Sequence, residues 1–179
     1  MSTALLIIDV QEALFAPAPR PFEADAVIER INTLARAARA AGRPVVFVQH
    51  EREGTALAHG SDGWQLATGL ETVAGDHVVR KTTPDSFLRT SLQALLDAHD
   101  VRQVVIAGYA CEFCVDTTCR RAAALGYGVC IAADAHTTHD KPHATAAQIR
   151  AHENATLPDI TSFGPRLVAT PTAAIAFVA

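Results

Sequence analysis

The stretch Gln103–Ala133, QVVIAGYACEFCVDTTCRRAAALGYGVCIAA, decides the fold. Gln103 to Gly108 is a Val- and Ile-rich run of strand type. From Cys114 to Leu125 the spacing becomes helical, and Gly126 follows where a left-handed cap falls. Gly128 to Ala133 is strand-like again. A helix between two strands returns the chain to the same end of the sheet, so these strands lie parallel, and their continuous apolarity means that both faces are covered.

The same beat continues outward. Ala4 to Ile8, Pro44 to Gln49, His77 to Arg80 and, more weakly, Arg166 to Thr170 are strand-like. Val27, Ile28, Ile31, Leu34, Ala35 and Ala38 recur at three- and four-residue spacing before Gly42, which predicts an amphipathic helix. Leu88, Leu92, Leu95 and Leu96 predict another that ends near His99, and Thr145 to Leu157 a further one before Pro158. The expectation is an α/β fold, a three-layer αβα sandwich on a mostly parallel six-stranded sheet, in one domain over residues 1–179. His50 to Asp76 is long, polar and aperiodic, a candidate substrate lid.

The 179 residues are 49% apolar and carry 15 Lys and Arg against 19 Asp and Glu, a net charge of −4. No broad cationic field is available for a nucleic-acid backbone. The apolar runs fall short of the roughly 18 residues that suggest a membrane span. The apolar opening lacks a basic lead-in and runs into Asp9, unlike a secretory signal, so a cytoplasmic protein is expected. Four clustered cysteines, Cys111, Cys114, Cys119 and Cys130, are too few for a disulfide scaffold in a chain of this length.

Open parallel sheets bind ligands beyond the carboxyl ends of their strands, so reactive residues there are the candidates. Cys114 falls where a strand hands over to the helix beginning Val115-Asp116. There the helix dipole and free N–H groups would favour a thiolate and hold an oxyanion; the alternative is a small buried hydrophobe. Asp9 ends the first strand, either as a turn-former or as a carboxylate that accepts the thiol proton. Lys81 ends the third, either solvated or as the cation that relieves repulsion between two anions, after bridging roughly 10 Å at about 4.8 Å per strand.

Taken in order, Leu5-Leu6-Ile7-Ile8-Asp9-Val10-Gln11, Val79-Arg80-Lys81 with Ser86-Phe87, and Val105-Ile106-Ala107-Gly108 leading to Cys114-Val115 form a pattern. Gly126-Tyr127, Asp134-Ala135 and His152-Glu153-Asn154-Ala155-Thr156-Leu157 extend it over nearly the whole chain. The set resembles the isochorismatase-like cysteine hydrolases, a superfamily that includes nicotinamidases and carbamoyl-amide hydrolases. The resemblance implies a triad of Asp9, Lys81 and Cys114, an oxyanion hole from the N–H groups of Ala110 and Cys114, and a cis Tyr109-Ala110 peptide. It also implies strand order 3-2-1-4-5-6 and a homo-oligomer.

Two features depart from the family. Nicotinamidases bind a metal through an Asp-x-His element after the second strand, where this chain has Gln49-His50-Glu51-Arg52; His50 and His59 without a matching carboxylate predict no metal. Cys111 creates Cys-x-x-Cys with Cys114, a spacing that also suits a redox protein, or a hydrolase switched by a Cys111–Cys114 disulfide. The main expectation is cleavage of a C–N bond in a small amide or carbamoyl compound through a thioester on Cys114, without metal or organic cofactor. Isochorismatase-type vinyl-ether hydrolysis and a non-catalytic binding module compete with it. Phe15, His50, Trp64, Phe87, Tyr109 and Phe113 are the candidate substrate contacts, and Asp134 is expected to bind local backbone.

Overall fold

The computed structural model describes residues 2–178. Six strands, β1 (Ser2–Ile8), β2 (Val45–His50), β3 (His77–Lys81), β4 (Val101–Tyr109), β5 (Gly128–Thr137) and β6 (Leu167–Thr170), form one sheet in the order β3-β2-β1-β4-β5-β6. Every pairing is parallel. The strand order reverses between β1 and β4, where Ile8 lies opposite Gly108 and Asp9 follows at once. Open sheets of this class bind ligands at such a reversal.

Besides a single turn, α1 (Glu12–Phe15), the long crossover helix is α2 (Ala24–Ala40), with α3 (Leu92–Ala98), α4 (Asp116–Ala124) and α5 (Ala146–Asp159) following. The two faces of each central strand divide the core. Leu5, Ile7 and Phe47 pack beneath Val27, Ile31 and Leu34 of α2, while Leu6, Ile8 and Val46 pack beneath Leu92, Leu96, Cys119 and Leu157. The three-layer sandwich expected from continuous apolar strands is the one observed.

Among the boundaries that differ, three change the local architecture most. The predicted helix at Leu88 begins only at Leu92, because Arg89 takes φ 59° and the Asp85 carboxylate and Thr90 hydroxyl cap local turns by accepting the N–H groups of Phe87 (2.8 Å) and Leu92 (3.2 Å). The predicted helix at Cys114 is preceded by a wide π turn, Cys111–Val115. β5 runs on past Ala133: from Ile106 to Gly108 β4 advances two residues while its partner moves from Ile131 to His136. The resulting bulge turns Asp134 outward, where its Oδ1 accepts the Thr172 N–H (2.8 Å) and hydroxyl (2.7 Å), the expected local anchor. α5 starts at a reciprocal capping box between Thr145 and Gln148 and runs through Pro158 to Asp159, past its expected end at Leu157.

Candidate active site

Three strand ends deliver three side chains to one point. Lys81 Nζ lies 2.7 Å from Asp9 Oδ2 and 3.2 Å from Cys114 Sγ. The span from β3 is closed by the long lysine stem, whose side chain is 0% exposed, crossing in front of β2 to an Asp9 side chain 3% exposed. A third contact joins Lys81 Nζ to His50 Nδ1 at 3.4 Å. An ammonium group has three donors and no acceptor. All three are therefore directed at carboxylate, sulfur and imidazole, which requires His50 to accept at Nδ1 and carry its proton on Nε2. Burial and the adjacent Lys81 charge lower the His50 pKa, in keeping with a neutral ring.

Asp9 takes φ 52°, which turns the chain sharply off the end of β1. The approach of β4 that makes room for this is possible only because residue 108 is glycine. It has φ 119°, and a Cβ there would stand 2.1 Å from the Ile8 carbonyl oxygen. Asp9 Oδ1 is buried without a hydrogen-bond partner, an acceptor left open beside the thiol.

The Cys114 thiol is not the low-pKa group expected from its place at a helix start. Burial first, then the Asp9 charge, push it up to about 12, against the lowering influence of Lys81. Helix dipoles favour anions only within about a turn of a helix end, whereas desolvation and a facing carboxylate act directly on the sulfur. Burial and the facing Asp9 thus favour the thiol over the thiolate.

The turn bearing Cys114 begins with a cis Tyr109–Ala110 peptide, the position the family resemblance implies. The Ala110 carbonyl accepts the N–H groups of Phe113 and Val115, each at 3.1 Å, and passes over that of Cys114 between them.

An isochorismatase domain model matches residues 3–162. The chain belongs to the isochorismatase family. It is 40% identical to streptothricin hydrolase from Streptomyces noursei over 94% of this chain, and spans 64% of that relative's length. It is 30% identical to the ureidoacrylate amidohydrolase of Pseudomonas savastanoi pv. phaseolicola, with 74% of this chain and 69% of the relative aligned. A solved structure described as an isochorismatase family protein superposes with a TM-score of 0.83 at 38% identity, covering 94% of this chain and 97% of the other.

Around the centre of this isochorismatase-family chain the expected substrate contacts sort by position. Tyr109 is half-buried at the end of β4, and its hydroxyl donates to His139 Nδ1 (2.9 Å), whose Nε2 donates to the Pro19 carbonyl (2.9 Å). Burial pushes the phenol up to about 12, so it stays a neutral donor. Phe15 is fully buried and meets Tyr109 edge-on at 6.0 Å, so it backs the tyrosine. Phe87 is a correction: it stacks on Tyr127 within the α3–α4 core, because the turns after Asp85 direct it inward. Phe113 is 53% exposed, with Lys141 Nζ 5.2 Å from its ring centre.

Trp64 packs against His59 at 4.7 Å, and its carbonyl accepts from Gln11 (2.8 Å) and Gln49 (2.9 Å). Gln11, which the sequence offered only as part of a motif, is fully buried. Its amide bonds both backbone groups of His50 (2.8 and 3.0 Å), locking the end of β2 to the end of β1. The expected lid is consequently tied down from Trp64 onward: Ala67 N–H bonds Val10 O (2.9 Å), Asn32 holds Gly69 and Glu71, and Arg39 pairs with Asp76 at 2.7 Å. Among the described residues no three His, Cys, Asp or Glu side chains are grouped to hold a metal ion.

The two cysteines of Cys-x-x-Cys differ in their charged surroundings. The Cys114 thiol feels Asp9 and Lys81. Cys111 is 0% exposed and has Glu112, Arg150 and Glu153 as its charged surroundings, on the α5 side of the turn.

Proposed function

We propose that this protein is a cysteine hydrolase that cleaves a carbon–nitrogen bond of a small amide or carbamoyl compound through a thioester on Cys114. The observation that carries the proposal is the buried Lys81 ammonium hydrogen-bonded at once to Asp9 and to the Cys114 sulfur. A lysine held only for packing has no need of a partially exposed thiol among its three acceptors. The curated relatives named a streptothricin hydrolase and a ureidoacrylate amidohydrolase support the same bond class.

In this mechanism the thiol proton passes to the open Oδ1 of Asp9 as Sγ attacks the carbonyl carbon. Lys81 stabilises the sulfur and carboxylate as charge moves between them, and the N–H groups of Ala110 and Cys114 hold the tetrahedral oxyanion. Asp9 then protonates the leaving nitrogen and the C–N bond breaks, leaving the acyl group on sulfur. A water, deprotonated by Asp9, attacks the thioester; the C–S bond breaks and the sulfur regains its proton. Because burial and Asp9 favour the thiol, deprotonation is coupled to attack on a bound substrate. A screen of primary amides and carbamoyl compounds by release of ammonia or amine, with wild type beside Cys114→Ala, tests the proposal. It predicts turnover in the first and none in the second; equal turnover in both refutes it.

A further inference from the structure

Lys81 ends β3 and the turn carrying Cys114 follows β4, and in the sheet β2 and β1 lie between those strands. Sheet hydrogen bonds therefore relate the two side chains only through two intervening strands, although a hydrogen bond tolerates little error in distance. A second connection runs outside the sheet. The segment that follows Lys81 meets α4, the helix that continues the π turn of Cys114.

The meeting point is a pair of hydroxyls. Thr118 stands four residues after Cys114 and Ser86 five after Lys81, and both are 0% exposed. Their hydroxyl oxygens are 2.8 Å apart, the Thr118 oxygen accepts the Ser86 N–H at 3.3 Å, and the Thr118 hydroxyl donates to the Pro84 carbonyl at 3.4 Å. A hydroxyl has one proton to give and two lone pairs. With that proton on Pro84, the two lone pairs take the N–H and the O–H of Ser86, so every hydrogen-bonding position of Thr118 is filled by the segment leaving Lys81. Farther along the same helix, Arg121 Nε lies 3.6 Å from Asp85 Oδ2 of that segment.

Phe87, Val115 and Cys119, next in sequence to the pair, are residues of the apolar core. Apolar side chains would fill this place without fixing it, because hydrophobic contact is non-directional, whereas a fully matched buried polar network specifies one arrangement. We propose that Thr118 is a positioning residue for the Lys81–Cys114 contact: through Ser86 it fixes the segment leaving Lys81 on the helix that continues from Cys114, and so sets the 3.2 Å separation of Nζ and Sγ. It acts on the sulfur only through Lys81. The inference rests on the cysteine-hydrolase reading of that contact, but its effect on the sulfur is measurable without turnover.

The test is the rate at which iodoacetamide alkylates Cys114 at pH 9, localised by peptide mapping, with kcat on a hydrolysed amide measured beside it. Thr118→Val keeps the shape and removes the hydroxyl. It is expected to slow alkylation at least about threefold, since a withdrawn Lys81 favours the thiolate less, and to lower kcat about tenfold with KM little changed. Thr118→Ser, which retains the hydroxyl, is expected to restore both to within about twofold of wild type. In the Asp9→Asn/Lys81→Met background Thr118→Val is expected to slow alkylation no further, because the partner it acts through is gone. Should Thr118→Val fail to fold, Ser86→Ala, which deletes one hydroxyl of the pair, is expected to show the same slowing in the wild-type background and none in the double variant.

Unchanged alkylation in the folded variant, failure of Thr118→Ser to restore it, equal slowing in the Asp9→Asn/Lys81→Met background, or an unchanged kcat in an enzyme that Cys114→Ala inactivates would each overturn the inference. Undiminished turnover by Cys114→Ala beside the expected alkylation pattern would refute the hydrolase mechanism and still support the positioning of Lys81 by Thr118.

Discussion

Cys114 and Cys111 occupy one π turn three residues apart, yet the molecule treats them oppositely. Cys114 is partly exposed and bonded to a buried ammonium; Cys111 is sealed against α5. In both, burial raises the thiol pKa, so desolvation does not distinguish a reactive cysteine from a packing one. What differs is the company. Of the two, Cys114 alone has its sulfur hydrogen-bonded to a cation, Lys81, and that contact becomes useful when a substrate draws charge onto the sulfur.

The largest effect that would break this comparison is on turnover. Cys114→Ala is expected to lower kcat on any amide the protein hydrolyses by ~10^4-fold or more, in line with loss of a nucleophile that acts as part of a unit. Cys111→Ala is expected to leave kcat within about threefold, with a modest loss of thermal stability from the emptied site. Steady-state rates and melting curves of both variants check this, and equal loss of rate would erase the distinction.

The Asp9–Lys81 pair sharpens it next. Lys81→Met leaves a buried carboxylate without its partner, which destabilises by roughly 3–5 kcal/mol. The double variant Asp9→Asn/Lys81→Met is expected to recover most of that loss in urea unfolding while remaining inactive. Additive destabilisation would show that the two side chains do not interact as their 2.7 Å contact requires.

Alkylation gives a third test. With its pKa pushed up to about 12, Cys114 is expected to react slowly with iodoacetamide near pH 7, and ever faster, without a plateau, as pH rises toward 10, because the thiolate fraction is still growing there. A plateau below pH 8 would mean that Lys81 outweighs burial and Asp9. Cys111 should stay unmodified throughout, as peptide mapping would show.

His50 carries the smallest effect. Removing the third acceptor of Lys81 in His50→Ala is expected to lower kcat by about tenfold with KM little changed, and His50→Gln, whose amide oxygen also accepts, is expected to restore part of it. A change confined to KM would instead make His50 a substrate contact, the role its sequence position first suggests.

Much of this geometry was legible because strand ends are legible. Asp9 and Lys81 close Val- or Ile-rich runs and Cys114 sits in the turn that follows a third, and the family pattern supplied the strand order that brings those ends together. Sequence periodicity does not report how a turn is wound, so the π turn and the complete burial of Cys111 within it stayed hidden. It was also silent on Phe87, since an aromatic two residues after Asp85 points inward only once the carboxylate has capped the turn. Gln11 and Gly108 were visible as motif letters without roles. Their work, a double amide clamp on His50 and a backbone approach too close for any side chain, exists only between strands that are far apart in the chain.

The central claim is that the Cys114 sulfur carries the acyl group, and trapping that intermediate tests it most directly. With a turned-over amide, acid quenching in the first turnovers followed by peptide mass spectrometry is expected to show the acyl mass on the peptide at Cys114 and none in Cys114→Ala. Acyl mass on Cys111, or sustained turnover by Cys114→Ala with no adduct on either cysteine, would contradict the account.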